Sequence, residues 1–123
     1  NIENHIKLNL DSALDKMDNF EGDLYRVVDF TGFPNCEELT RLFIDKFKIG
    51  DRITFDEYIS TSKEDGYNDD ANVFIFIKNS KKGKDISKYN PDEQEVLYKR
   101  GSAFVTKRVR RINDKYYVVL EEA

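Results

Sequence analysis

Cysteine and histidine are almost missing from this chain, where Cys36 and His5 each stand alone. A single cysteine allows no internal disulfide and no cysteine-built metal site. With one histidine on an expected surface helix, thiol-protease and zinc readings both lack partners, so no metal is expected. No apolar run approaches the ~20 residues of a membrane span, no signal peptide stands at Asn1, and position 1 is not methionine. The chain therefore reads as a fragment or processed domain whose missing part would hold delivery machinery, with no membrane partner. A basic excess is lacking too. The formal net charge is −4, whereas phosphate-binding surfaces normally carry surplus positive charge, which argues against a nucleic-acid partner. Residues 107–111, Lys-Arg-Val-Arg-Arg, are a local exception and read as a solvated strand face.

What is present suits one domain. The chain has 123 residues, 39% of them hydrophobic, with nine Phe and seven Tyr to fill a modest core and 36% charged residues to solvate the surface. Residues 1–123 read as one domain with an N-terminal helical part to about residue 20. Across 1–18, Ile2, Ile6, Leu10, Ala13, Leu14 and Met17 share one stripe at helical spacing. Residues 23–30 are β-branched and aromatic, a strand. Pro34-Asn35 opens a second helix, with Asn35 as N-cap and Glu38 three residues on. Its apolar face carries Leu39, Leu42, Phe43 and Phe47, and Gly50 ends it.

Short strands follow at 52–55 and 58–60, then at 73–78, where Phe-Ile-Phe-Ile reads as a buried central strand. Three more are expected at 95–99, 103–108 and 116–121, with long connections at 63–70 and 79–92. Long irregular connections in a small domain are often functional. No internal repeat is visible. Helices first and mostly antiparallel strands afterwards make an α+β domain.

Three features carry the chemistry. The first is Arg26 inside a strand, Leu24-Tyr25-Arg26. A charge between apolar neighbours is costly unless it is paired, although an outward-facing strand position would also explain it. The second is Tyr58-Ile59-Ser60-Thr61-Ser62, which taken alone is a strand end with local hydroxyl-to-backbone bonds. The third is Glu93-Gln94-Glu95-Val96-Leu97-Tyr98, followed by Gly101 and Phe104. Carboxylates at i and i+2 entering a strand point to one face, where they raise a pKa or require a cation between them. Acidic residues solvating a loop end would explain the pair alone, but less well the apolar strand and Gly101 that follow.

Together, in this order and rough spacing, the three resemble the Arg–Ser–Glu class of ADP-ribosyltransferases, which includes bacterial toxins, secreted effectors and vertebrate ecto-enzymes. The resemblance covers about residues 23–108. It implies an α+β split β-sandwich of two mostly antiparallel sheets with N-terminal helices, whose cleft holds NAD as co-substrate. It further implies that the fork of Arg26 takes the pyrophosphate. The main chain of Val27 would bond the nicotinamide amide. Glu95 would stabilise the oxocarbenium-like centre and bond the ribose 2′-hydroxyl. Ser60 would hold Glu95, while Thr61 and Ser62 support the strand end on the cofactor side. A stacking aromatic falls to Tyr67, with Phe74 as the alternative; Phe74 and Phe76, two apart, share a face and read as core.

The first carboxylate, Glu93, implies the acceptor. Family members with Gln at that position tend to modify other side chains, whereas a Glu docks an arginine guanidinium and accepts its proton. Tyr89 resembles the aromatic that members use to grip protein substrates. The pattern departs from the family at two places. Asp69-Asp70-Ala71 stands where some members carry a second phosphate-binding arginine, unless a lysine reaches in. Val27 occupies a position where a small residue is common. The implied function is mono-ADP-ribosylation of a protein arginine with release of nicotinamide, by a toxin or effector domain. Such a domain would be secreted or delivered into the cytosol of a target cell, with an immunity or inhibitor protein as a further partner. Two alternatives are an NAD glycohydrolase, whose acceptor is water, and a non-catalytic binding module on the same scaffold.

Overall fold

Residues 73–78 alternate Val or Ile with Phe or Lys, and the sheet is built around them. The computed structural model describes residues 2–65, 70–89, 92 and 94–123, with main chain only for 2–8. Among these, the elements run α1 (Ile2–Asp15), β1 (Gly22–Val28), α2 (Cys36–Ile44), β2 (Arg52–Phe55), β3 (Ile59–Ser62), β4 (Val73–Ser80), β5 (Lys84–Asp85), β6 (Glu95–Tyr98), β7 (Ser102–Ile112) and β8 (Lys115–Glu122). This is an α+β fold. No described helix is long and apolar enough to cross a membrane.

The strands lie in the order β2-β7-β8-β4-β1-β3-β6-β5. Among the described residues only the pairing of β4 with β8 is parallel. β1 and β3 are matched at a single position, Tyr25↔Ser62. The order therefore divides there into two parts, β2-β7-β8-β4-β1 and β3-β6-β5, joined at one point. The two sheets of the expected sandwich meet in this narrow joint.

The core lies on one face of β4. Val73, Ile75 and Ile77 are buried and pack with Leu24, Val96, Phe104, Val118 and Leu120. A chain of ring contacts extends this core from Phe30 through Phe43, Phe47, Phe55 and Phe104 to Tyr98, with centroids 4.9–6.3 Å apart. Tilted and edge-on pairs of this kind each contribute about 0.5–1.5 kcal/mol beyond area burial. In α1, Leu14 is buried. Asp11 accepts from the Tyr58 hydroxyl (2.7 Å) and from Arg100, tying α1 to the sheet.

Several elements differ from their sequence expectation. The second helix ends at Ile44, and Phe47 enters the core from the turn that follows, its N–H on the Ile44 carbonyl (2.9 Å). Asn35 occupies the N-cap position without a side-chain cap bond. Leu42, expected on the apolar face, is 51% exposed. Gly50 lies beyond the helix at φ 88°, a backbone state that suits glycine, and its N–H docks on the Thr106 carbonyl (2.8 Å). The basic run sits in β7, with Lys107, Arg108, Arg110 and Arg111 exposed as a solvated face.

Gly83 is required by a close approach. An added Cβ would lie 2.6 Å from Val96 Cγ1 and 3.3 Å from Tyr98 Cε2, both in fully buried side chains. Gly83→Ala is expected to destabilise the fold by about 1–3 kcal/mol, the usual cost of overpacking a filled core. Chemical denaturation measures it, and an unchanged midpoint would show that the turn before β5 yields freely.

Candidate active site

The cleft opens where the two parts of the sheet diverge. β1 and β3 run together at Tyr25↔Ser62 and then part. Arg26 Nη1 spans the gap and donates to the Ser60 carbonyl at 2.9 Å. A side chain thus meets a main-chain acceptor where no ladder continues, which answers the question of why a strand arginine stands between apolar neighbours. Burial pulls the Arg26 pKa down from its ordinary value, with the Glu57 carboxylate opposing. Arginine starts so high that it remains a cation.

β3 presents its hydroxyls by alternation. Ile59 and Thr61 are buried, while Ser60 and Ser62 face outward. In the β3–β6 register Ser62 lies opposite Glu95 and Ser60 opposite Leu97, so Ser60 and Glu95 are diagonal neighbours within reach of a long side chain. Ser60 Oγ donates to Glu95 Oε2. This contact fixes the rotamer of the carboxylate at the start of β6.

Arg26, Val27, Ser60, Ser62 and Glu95 line one cleft of about 340 Å³, with Tyr25. Three residues far apart in sequence therefore meet in one place: the strand arginine, the first serine of the triplet and the second glutamate of the pair. Thr61 borders the same cleft. Its side chain is 4% exposed and its hydroxyl donates to the Val96 carbonyl (2.7 Å), pinning β3 to β6.

A second groove of about 300 Å³ shares Tyr25, Arg26 and Val27 with the cleft and continues over Phe74, Phe76 and Tyr117. Phe74 stacks on Tyr117 (5.2 Å, 16°) and Tyr25 packs against Phe76 (5.3 Å). The reading of Phe74 and Phe76 as core is thereby corrected: the aliphatic residues of β4 face the core, and the two phenylalanines are half-buried on the opposite face. Tyr25 and Tyr117 had not been singled out. The alternation around Arg26 was the available signal, because Tyr25 must share a face with Val27.

Tyr67 and Glu93 lie outside the described residues. Gln94 has φ 48° and β6 begins only at Glu95, so the alternation argument for two carboxylates on one face does not extend back to Glu93. Tyr89 is 75% exposed, with its N–H on the Ile86 carbonyl (3.0 Å). Asp70 is exposed and Asp69 lies outside the described residues. Among the described residues no cluster of three His, Cys, Asp or Glu side chains gathers as a metal site would.

An arginine and a serine-held glutamate, set where a sheet splits, are the arrangement that the resemblance to ADP-ribosyltransferases leads one to expect. The whole chain, residues 1–123, matches the family described as ADP-ribosyltransferase exoenzyme, and the chain belongs to that family. No curated protein matches it.

Among solved structures, the type III effector XopAI from Xanthomonas axonopodis pv. citri is similar at a TM-score of 0.72 and 20% identity, covering 91% of this chain and 46% of that one. Vis toxin, an ADP-ribosyltransferase from Vibrio splendidus, gives 0.71 and 20%, over 98% and 56%. The Clostridium limosum C3 exoenzyme gives 0.71 and 19%, over 95% and 66%. At these identities the likeness shows the fold. The chain spans about half the length of the XopAI and Vis chains.

Proposed function

We propose that the chain is an NAD-dependent mono-ADP-ribosyltransferase that transfers ADP-ribose to an arginine side chain of a target protein, as a toxin or effector domain. The observation that carries this reading is the Ser60–Glu95 hydrogen bond inside the Arg26 cleft. Family membership supports the reaction class. The arginine acceptor rests on Glu93 and on one relative of the same fold, Vis, solved in complex with agmatine, a guanidinium compound.

NAD enters as substrate. The fork of Arg26 has N–H donors beyond the one given to Ser60, and it would take a pyrophosphate oxygen pair. Val27 borders the cleft past the point where β3 leaves β1, so its main chain is suited to the nicotinamide amide. The aromatic groove gives the nicotinamide or adenine ring a stacking surface at Phe74, with Tyr67 as the other candidate.

Departure of nicotinamide breaks the C–N glycosidic bond, and the electron pair leaves with the base. Glu95 stabilises the resulting oxocarbenium-like ribose. Ser60 keeps the carboxylate oriented before the charge develops, so little reorganisation is needed. Glu93 docks the guanidinium, orients one nitrogen and takes its proton as the new C–N bond forms. Tyr89, projecting from the loop before the pair, would grip the protein surface around the acceptor.

Water as acceptor, the glycohydrolase reading, is expected as a side reaction. A binding module without catalysis would need no such held carboxylate. Delivery into the cytosol of a target cell and an immunity protein that blocks the cleft belong to the same proposal. Incubation with labelled NAD and a cell lysate tests it: labelled protein supports transfer, free ADP-ribose alone supports hydrolysis, and no turnover supports the binding module.

Arg26→Ala is expected to weaken NAD binding about ten- to a hundredfold, the loss of one or two charge-assisted hydrogen bonds. Arg26→Lys should recover part of it, because an ammonium lacks the planar fork. Calorimetry reads this directly, and unchanged affinity in Arg26→Ala would move the pyrophosphate elsewhere.

A further inference from the structure

β7 is longer than the strand that covers it. β2 pairs with it only across Ser102 to Val105. The turn at Gly50 and Asp51 extends the cover by one residue: the Thr106 N–H donates to the Asp51 carbonyl (3.2 Å), and the Thr106 carbonyl accepts from the Gly50 N–H (2.8 Å). Beyond the irregularity at Lys107, residues Arg108 to Ile112 pair with β8 on one side. Among the described residues, no main chain meets their other side.

The hairpin fixes which groups point outward. Asn113 and Asp114 join β7 to β8, with Asn113 at φ 58°, and a two-residue turn of this kind closes on a hydrogen-bonded pair. Ile112↔Lys115 is that pair, and alternation makes Arg110↔Tyr117 and Arg108↔Val119 the next ones. The N–H and C=O of Val109 and Arg111 therefore point away from β8 onto an open edge. Such an edge is a template for a further strand.

The side chains select the strand it takes. Lys107, Arg108, Arg110 and Arg111 are exposed on a chain of net charge −4. Lys107 pairs with Glu121 (3.4 Å), while Arg111 reaches Asp114 (3.9 Å) and lies over the Tyr116 ring (5.6 Å). Arg108 and Arg110 have no ion pair among the described residues. Two apart, they share one face of the strand, and Val109 packs on the core from the other. Exposed Ile49, next to the Gly50 bond, and exposed Ile112, at the turn, bracket the open stretch.

A second copy of this chain on that edge would set arginine against arginine, which is unfavourable. A nucleic acid offers phosphates to the arginines but nothing that matches paired N–H and C=O groups along a strand. An extended polypeptide with carboxylates at alternate positions matches both. Its carboxylates would lie beside Arg108 and Arg110, and its apolar residues beside Val109.

We propose that the outer edge of β7, from Lys107 to Ile112, docks an acidic, extended segment of a protein partner, which adds to the sheet as a further strand. In strand addition the main-chain bonds supply affinity and the alternate side chains supply specificity. β7 stands three strand spacings from β1 in the sheet order, about 14 Å, so a protein docked there is held near the Arg26 cleft without filling it. The site goes beyond the transfer reaction and does not depend on it.

The test uses the whole chain and a short capped peptide that alternates Glu with Val. Controls are the same peptide with Lys for Glu, the Glu peptide with a central proline, and a single-stranded oligonucleotide of equal charge. Amide hydrogen exchange is read residue by residue, and Kd is taken from the same titration. Exchange at Val109 and Arg111 should slow about tenfold when the Glu peptide stands at about ten times its Kd, with the controls giving no protection. Arg108→Ser/Arg110→Ser should raise the Kd about three- to tenfold, the loss of two exposed ion pairs, and salt near 1 M should weaken wild-type binding in the same sense. Should that variant fold poorly, the protection pattern of the wild type decides alone. The inference is overturned if the Glu peptide does not bind, or binds without protecting those two amides. Equal protection by the oligonucleotide, or protection that rises with protein concentration alone as a second copy pairs on the edge, overturns it as well.

Discussion

Glu95→Gln is expected to leave the fold and NAD binding intact and to lower both nicotinamide release and transfer by about 10²–10³-fold. The substitution keeps the side chain's size and its hydrogen bond from Ser60 Oγ, since an amide oxygen also accepts. Only the negative charge is lost. In the proposed mechanism that charge faces the ribose carbon, onto which the positive charge of the pyridinium ring moves as the bond breaks, so its contribution appears in kcat more than in binding. Single-turnover nicotinamide release separates the two. A mutant that binds NAD normally and turns it over at near wild-type rate would mean that the positive centre forms elsewhere, and the site would lose its catalytic group.

Glu93→Gln should separate the two halves of the reaction. In the proposed mechanism cleavage of NAD needs Glu95 and its Ser60 support, so the variant should still release nicotinamide slowly into water. Transfer needs a carboxylate against the guanidinium, which is protonated at ordinary pH and a poor nucleophile until it gives up its proton. An amide can neither neutralise that charge nor accept the proton, and the expected loss of agmatine and protein labelling is about 10²–10⁴-fold, the usual contribution of a positioned base. Both rates are to be measured on one sample. Full labelling in the variant would assign the acceptor to another group, and equal loss of both activities would make Glu93 a support of the site as a whole.

The sheet was readable in the sequence where alternation was strong. Val73, Ile75 and Ile77 announced β4, and Leu24-Tyr25-Arg26 announced β1, because period-two patterning is the physical signature of a strand with two unlike faces. Which face is core was less legible: Phe74 and Phe76 are the larger apolar residues, yet the branched aliphatics face inward and the rings line a groove. The end of α2 was misplaced because Phe47 continues a helical stripe that the chain follows only as a turn.

At the candidate site, motif order singled out Arg26, Ser60 and Glu95, and the three line one cleft. Alternation along β3 puts the Thr61 side chain on the face opposite Ser60 and Ser62, and the residue still borders the cleft. Gln94 lies in the left-handed region, and nothing in Glu-Gln-Glu announces that break in the strand pattern.

The account is tested most directly by incubating the wild-type chain with NAD and agmatine and weighing the products by mass spectrometry. ADP-ribosyl-agmatine together with an equal amount of nicotinamide, and neither from Glu95→Gln, is the expected result. NAD left intact in the presence of agmatine, or consumed only to free ADP-ribose, would contradict transfer to a guanidinium at this site.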